Sequence, residues 1–158
     1  MKVSVSRVVL IVALISAGGC GSGSGTSGAG GLSRFVGTWK PTSGTSTTIC
    51  PAKTTTESIT SNTVWGAGVS SDLVETDGAC NIQVDVTGST ASSVSGQSCT
   101  QTAGTASVTL TISAYTFALG ADGQTATESG SGTATVTSAG VTATCSYSES
   151  ASYQKLAN

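Results

Sequence analysis

Cys80-Asn-Ile-Gln-Val-Asp-Val86 decides the fold, because its apolar and polar residues alternate without a break. Cys80, Ile82, Val84 and Val86 point one way and Asn81, Gln83 and Asp85 the other, the period of a strand buried on one face. Just upstream, Leu73-Val-Glu-Thr76 is followed by Asp77-Gly78, a pair that predicts a tight hairpin into the same strand, since Gly supplies positive φ. Further along, Ala106-Ser-Val-Thr-Leu-Thr-Ile112 sets Val108, Leu110 and Ile112 on one face, and Val141-Thr-Ala-Thr-Cys-Ser-Tyr147 does the same for Val141, Ala143, Cys145 and Tyr147. Thr42-Ser-Gly44, Gly120-Ala-Asp-Gly123 and Ser138-Ala-Gly140 carry turn residues between such runs. With no amphipathic helix between them, these segments predict an all-β domain, an antiparallel up-and-down meander of about 8 to 10 strands. Its apolar face must be covered by closure into a barrel or by folding into two layers. The glycines of Ser129-Gly-Ser-Gly-Thr-Ala134 predict bends or bulges of a curved sheet, since a phosphate-cradling loop would need a helix start and usually a Lys behind it.

The N-terminus carries a different pattern. Lys2 and Arg7 precede the apolar run Val8 to Ala17, too short for a bilayer span, and small residues then lead to Cys20. This is the layout of an export signal. Ala17-Gly-Gly-Cys20 resembles the bacterial lipobox, and the resemblance implies cleavage before Cys20 and acylation of that cysteine by palmitate-like chains. Gly21, rather than Asp, resembles the pattern that permits outer-membrane sorting. The expected organisation is therefore a signal peptide at 1–19, a lipidated Cys20 with a Gly/Ser tether at 20–31, and a β-barrel-like domain at 32–158. Such a tether would hold the domain about 15 to 20 Å from the acylated end.

With the signal removed, four basic side chains remain (Arg34, Lys40, Lys53, Lys155) against eight acidic ones, so the surface is sparsely charged and mildly acidic. Nucleic acid is excluded as a partner, because binding to a phosphate backbone needs clustered Lys and Arg. Cys50, Cys80, Cys99 and Cys145 form an even set in an exported chain and predict two disulfides. Their wide spacing and the absence of histidine speak against a metal site. A hairpin turning near Gly88 would bring Cys80 opposite Cys99, and closure would bring an early strand to a late one, which pairs Cys50 with Cys145. No histidine means no ordinary base for a serine or cysteine nucleophile. Carboxylate pairs that could act on glycosides are Asp72 with Glu75 and Asp77 with Asp85 as the nearest in sequence, but Asp77 reads as a turn residue and Asp85 as one on the polar face of its strand. No enzyme activity and no cofactor is expected.

Phe35-Val-Gly-Thr-Trp39 contains a Gly37-x-Trp39 element that resembles the first-strand motif of the lipocalins. The resemblance implies a barrel, favoured here over a β-sandwich, with Trp39 across one closed end beneath a cationic cover for which Lys155 is the candidate. It also implies a small hydrophobic ligand, with Trp39, Ile82, Val84, Val108, Leu110, Phe117 and Val141 as lining residues. The expected function is a membrane-anchored, non-catalytic envelope lipoprotein that binds such a ligand. The alternative is a structural or surface-interaction lipoprotein without a cavity, and an enclosed volume distinguishes the two.

Overall fold

The computed structural model describes residues 29–77 and 80–156. Cys20, the export-signal pattern before it and Gly78 lie outside the described residues. One helical turn, α1 (Ala29–Leu32), precedes ten antiparallel strands: β1 (Gly37–Cys50), β2 (Lys53–Ser58), β3 (Thr63–Ala67), β4 (Leu73–Asp77), β5 (Cys80–Thr87), β6 (Thr90–Ser93), β7 (Ser98–Ala103), β8 (Ala106–Leu119), β9 (Thr125–Ser138) and β10 (Val141–Lys155). The all-β antiparallel meander read from the sequence is the fold of the chain.

Hydrogen bonds run β1-β3-β4-β5-β6-β8-β9-β10 and return to β1, which makes a ring of eight strands. Four of them, β1, β8, β9 and β10, are 14 or 15 residues long, whereas β3 to β6 are 4 to 8. The long strands therefore outrun the ring and continue as a projecting wall. There β1 takes β2 as its neighbour in place of β3, and β8 takes β7 in place of β6.

One sheet face can be followed through both regions along β9, which has no bulge. Directly paired residues share a face, so Ala126, Glu128, Gly130, Gly132, Ala134 and Val136 share it with Leu119, Phe117, Tyr115, Ile112, Leu110 and Val108 on β8. The β10 partners are Tyr153, Ala151, Glu149, Tyr147, Cys145 and Ala143. Within the ring this face is buried, around Trp39, Trp65, Phe117, Leu73 and Val84. In the wall it is covered only in part, with Ala134 and Cys145 buried. Val108 and Leu110 are half-buried and Val141 is 72% exposed, so these three do not belong to the core that their alternation suggested. The period of two reports the face correctly, but burial also requires a packed layer opposite, and Val108, Leu110 and Val141 lie outside the cluster that supplies it.

The hairpin into β5 forms, with β4 extended one residue further than expected: Asp77 pairs with Cys80, which leaves 78 and 79 between the strands. Gly88, at φ 62, opens the two-residue turn from β5 to β6, the position that a II′ hairpin turn reserves for glycine. The turns at 120–123 and 138–140 also form. Thr42-Ser-Gly44 does not turn. β1 passes through it with a bulge between Pro41 and Ser43, because β10 stays paired on both sides of it. Gly44 lies so close to β10 that a Cβ there would stand 2.6 Å from Cβ of Ala151. The expectation for Ser129–Ala134 holds in modified form: the bulge falls on the neighbour, between Ile112 and Ala114, opposite Gly132 and Ser131.

Both disulfides join the expected cysteines. Cys50–Cys145 crosses from β1 to β10, with Cα atoms 4.3 Å apart. Cys80–Cys99 ties β7 to β5 at 5.6 Å. Between β6 and β7 the Gln97 amide acts as a stand-in peptide group. Its Oε1 accepts from Gln83 N–H at 2.6 Å and its Nε2 donates to Gln83 O at 2.7 Å, which continues the ladder where no strand does.

Candidate functional site

Aromatic side chains fill the interior of the ring. Phe35, Trp39 and Phe117 are fully buried and Trp65 nearly so. Phe117 stands at the centre, 5.2 Å edge-on from Trp39, 4.9 Å from Trp65 and 5.7 Å from Tyr153 between ring centroids, the separations that aromatic pairs favour. Trp39 Nε1 donates to Phe35 O at 2.8 Å, so the segment before β1 folds over its own first strand. Lys155 then covers Trp39. Its Nζ stands 5.4 Å from the ring centroid and donates to Arg34 O at 2.7 Å, and partial burial lowers its pKa. Trp39 thus lies beneath the last strand's cation.

Of the proposed lining residues, Trp39, Ile82, Val84 and Phe117 meet in this core, whereas Val108, Leu110 and Val141 lie on the wall. Two solvent-open hollows, one of about 300 Å³ beside Leu119, Thr125 and Tyr153 and one of about 550 Å³ beside Lys40, Pro41 and Lys155, touch none of the seven.

A polar layer lies deeper in the ring, toward the wall. Thr63 Oγ1 donates to the Glu75 carboxylate. Glu75 is 2% exposed on β4, and Glu128 is 7% exposed on β9 beside Phe117. In the next row Gly130 separates Tyr115 from Glu149, and the Glu149 carboxylate occupies the space that a side chain at Gly130 would take. Burial, with Glu75 and Glu128 nearby, raises the Tyr115 pKa well above that of a free phenol. Tyr147, one row further out, is pushed up to about 12 by burial, then by Glu149 and Glu128. Tyr115 OH and Trp65 Nε1 have no hydrogen-bond partner among the described residues.

The sequence pairing of Asp72 with Glu75 does not describe this layer. Asp72 instead accepts from Val86 N–H at 2.8 Å, which ties the residue just before β4 to β5. Asp85 is exposed on the polar face of β5, as its alternation predicted. Glu128 is not among the carboxylate pairs close in sequence; its position in the alternation Ala126, Glu128, Gly130, Gly132, Ala134 is the signal that places it on the buried face. Neither Glu75 nor Glu128 is open to a solvent-borne substrate, because the aromatic core and the strands enclose both. Among the described residues no group of three or more His, Cys, Asp or Glu side chains is placed to hold a metal ion. No family model, no curated protein and no solved structure matches the chain.

Proposed function

We propose that this chain is a bacterial envelope lipoprotein, anchored through acylated Cys20 and held on a Gly/Ser tether, whose β-domain is a non-catalytic structural or surface-interaction module. The observation that carries the second half is the occupied interior. Phe35, Trp39, Trp65, Leu73, Val84 and Phe117 fill the space in which an apolar ligand would sit. The ligand-binding reading was the first expectation, and it draws its support from the Gly37-x-Trp39 element and the Lys155 cover. Side chains packed to this degree leave that element the role of closing a solid core. The anchoring half draws on the N-terminal pattern, on Cys20 and on Gly21, which favours the outer membrane. Two or three acyl chains give stable attachment where one is marginal.

The wild-type chain should fractionate with membranes and carry a lipid mass on Cys20, and Cys20→Ala should lose both. An unmodified Cys20 in the wild type refutes the anchor. Purified chain titrated with an environment-sensitive apolar dye should show no saturable uptake. Saturation at one dye per chain would return the ligand reading.

A further inference from the structure

The projecting wall ends in two strands, and they are guarded unequally. The outer side of β7 is tied to β5 by Cys99–Cys80, and Gln101 Nε2 donates to Cys80 Sγ at 3.4 Å. β2 ends the sheet on the other side, with Lys53, Thr54, Thr56, Glu57 and Ser58 exposed and no neighbour beyond it among the described residues. It contains no Pro and no bulge. An unprotected edge of this kind is a template for another strand.

The register fixes which groups face outward. Only Pro51 and Ala52 separate β1 from β2, so the flanking Cys50 and Lys53 exchange backbone hydrogen bonds, and alternate pairs after them do the same. Lys53, Thr55 and Glu57 therefore bond toward β1, and Thr54, Thr56 and Ser58 present N–H and C=O to the open side. The disulfide agrees with this phase. Cys50, bonded to β2, is non-bonded toward β10, and its Cα lies 4.3 Å from that of Cys145, close to the separation expected of a non-bonded pair.

We propose that β2 joins two copies of this chain, edge to edge and antiparallel, about a two-fold axis at Thr55. In that register Thr54 of each copy exchanges hydrogen bonds with Thr56 of the other, the residues whose backbone groups are free. Thr55 meets its own equivalent, and Lys53 of each copy stands opposite Glu57 of the other. The charge match occurs twice, as a two-fold axis requires. Sliding the register by two residues, the smallest shift that keeps outward groups opposed, would set Lys53 opposite Ile59 and Glu57 opposite Thr55, with neither charge matched. The flanking residues on this edge are Thr and Ser, so opposite charges and β-branched pairs decide the register.

This inference rests on reading the domain as an interaction module and names a second copy as its partner. The test uses the full chain in detergent, a mixture of ¹⁴N- and ¹⁵N-labelled protein treated with a zero-length carbodiimide, with dimer fraction read by native mass spectrometry. Along one strand Lys53 and Glu57 are about 13 Å apart, beyond a zero-length link. A mixed-label Lys53–Glu57 amide is therefore expected only from pairing. Glu57→Lys should lower the dimer fraction about tenfold, and Lys53→Glu combined with Glu57→Lys should restore it. Thr54→Pro, which removes an outward N–H and no bond to β1, should lower it as well. A monomer in every preparation, or a dimer indifferent to these changes, overturns the pairing. If the chain still takes up no apolar dye alongside that result, the interaction reading stands and the pairing alone has failed.

Discussion

The ring and the wall are built from the same four long strands and share one continuous sheet face, yet they are stabilised by different means. In the ring the inward positions of β8 are Tyr115, Phe117 and Leu119, and the opposing strands bring Trp65, Leu73 and Val84 to meet them. In the wall the same face of the same strand carries Leu110 and Val108 opposite Ala134 and Val136, beyond Ile112, which still packs against the core; there Leu110 and Val108 are only half-buried. There the links are lateral: the Cys50–Cys145 bridge, and hydroxyl pairs such as Thr47–Thr56 at 3.0 Å and Thr100–Thr109 at 2.9 Å on exposed surface. Side-chain size follows the need. Large rings stand where an interior exists to be filled, and small residues where strands need only pair.

The comparison is tested most strongly at the wall's covalent link. Replacing Cys50 and Cys145 together by Ala should cost about 4 to 5 kcal/mol, and replacing Cys80 and Cys99 about 3, since loop entropy grows with the separations of 95 and 19 residues. Denaturant unfolding of each double variant checks the order, and a larger loss for the short loop would show that the β7 staple supports the ring itself. Next in size, Trp39→Ala should cost about 3 to 5 kcal/mol as a buried aromatic truncation. Leu110→Ala, half-buried on the wall, should cost no more than about 1.5 kcal/mol, since truncation recovers only the part of a leucine's burial energy that the fold uses. Equal losses at the two positions would mean that the wall has a core after all.

Much of this was legible before the structure. Alternation in 80–86, 106–112 and 141–147 identified strands and their apolar face, and cysteine parity with the Gly88 turn identified the bridges. What alternation does not carry is the curvature of the sheet. Val141 and Val84 occupy equivalent positions in their local patterns, and only closure of the ring around Val84 separates them. Thr42-Ser-Gly44 misled for a related reason: turn residues also suit a bulge, and the choice was made by β10, more than a hundred residues away. Glu128 was hidden by its charge, and Glu75 was paired with the wrong partner, because a carboxylate in an alternating run reads as solvent-facing unless its phase is followed strictly.

The polar layer at the junction of the two regions makes the difference visible as a pH effect. Tyr147 sits at the start of the wall with its pKa raised to about 12, and Tyr115 inside the ring is raised as well. A raised folded pKa stabilises the fold fully below the unfolded value near 10, and that contribution is lost as pH rises through the folded value. Stability should therefore hold to about pH 10 and fall between about 10 and 12. Tyrosinate absorbance followed with circular dichroism should show Tyr115 ionising only together with loss of the β spectrum. Ionisation of all three tyrosines near pH 10 with the fold intact would place these rings in water.

The smallest effect is expected at the far tip of the wall, where β9 turns into β10 through Ala139-Gly140. Both residues have positive φ, 50 and 78, the geometry of a I′ turn, which favours Asn-Gly or Gly-Gly. Ala139 is the only non-glycine residue with positive φ among those described, and its Cβ crowds the neighbouring carbonyl. The turn at the ring end is built differently. Asp122 accepts at 2.9 Å from Gln124 N–H, Thr125 N–H and the Thr125 hydroxyl, and Gly123 alone takes the positive φ of 62. These hydrogen bonds lower the Asp122 pKa and leave no strain to relieve. Ala139→Asn should therefore stabilise by about 0.5 to 1 kcal/mol, relieving the left-handed alanine without the chain entropy that glycine adds to the unfolded state. Because the tip lies farthest from the aromatic core, the gain should appear first as slower amide exchange at Ser138 and Val141, the pair flanking the turn that exchanges backbone hydrogen bonds across the hairpin. No change in exchange there, with no change in the unfolding midpoint, would mean that the wall's tip is open too often for its turn to matter.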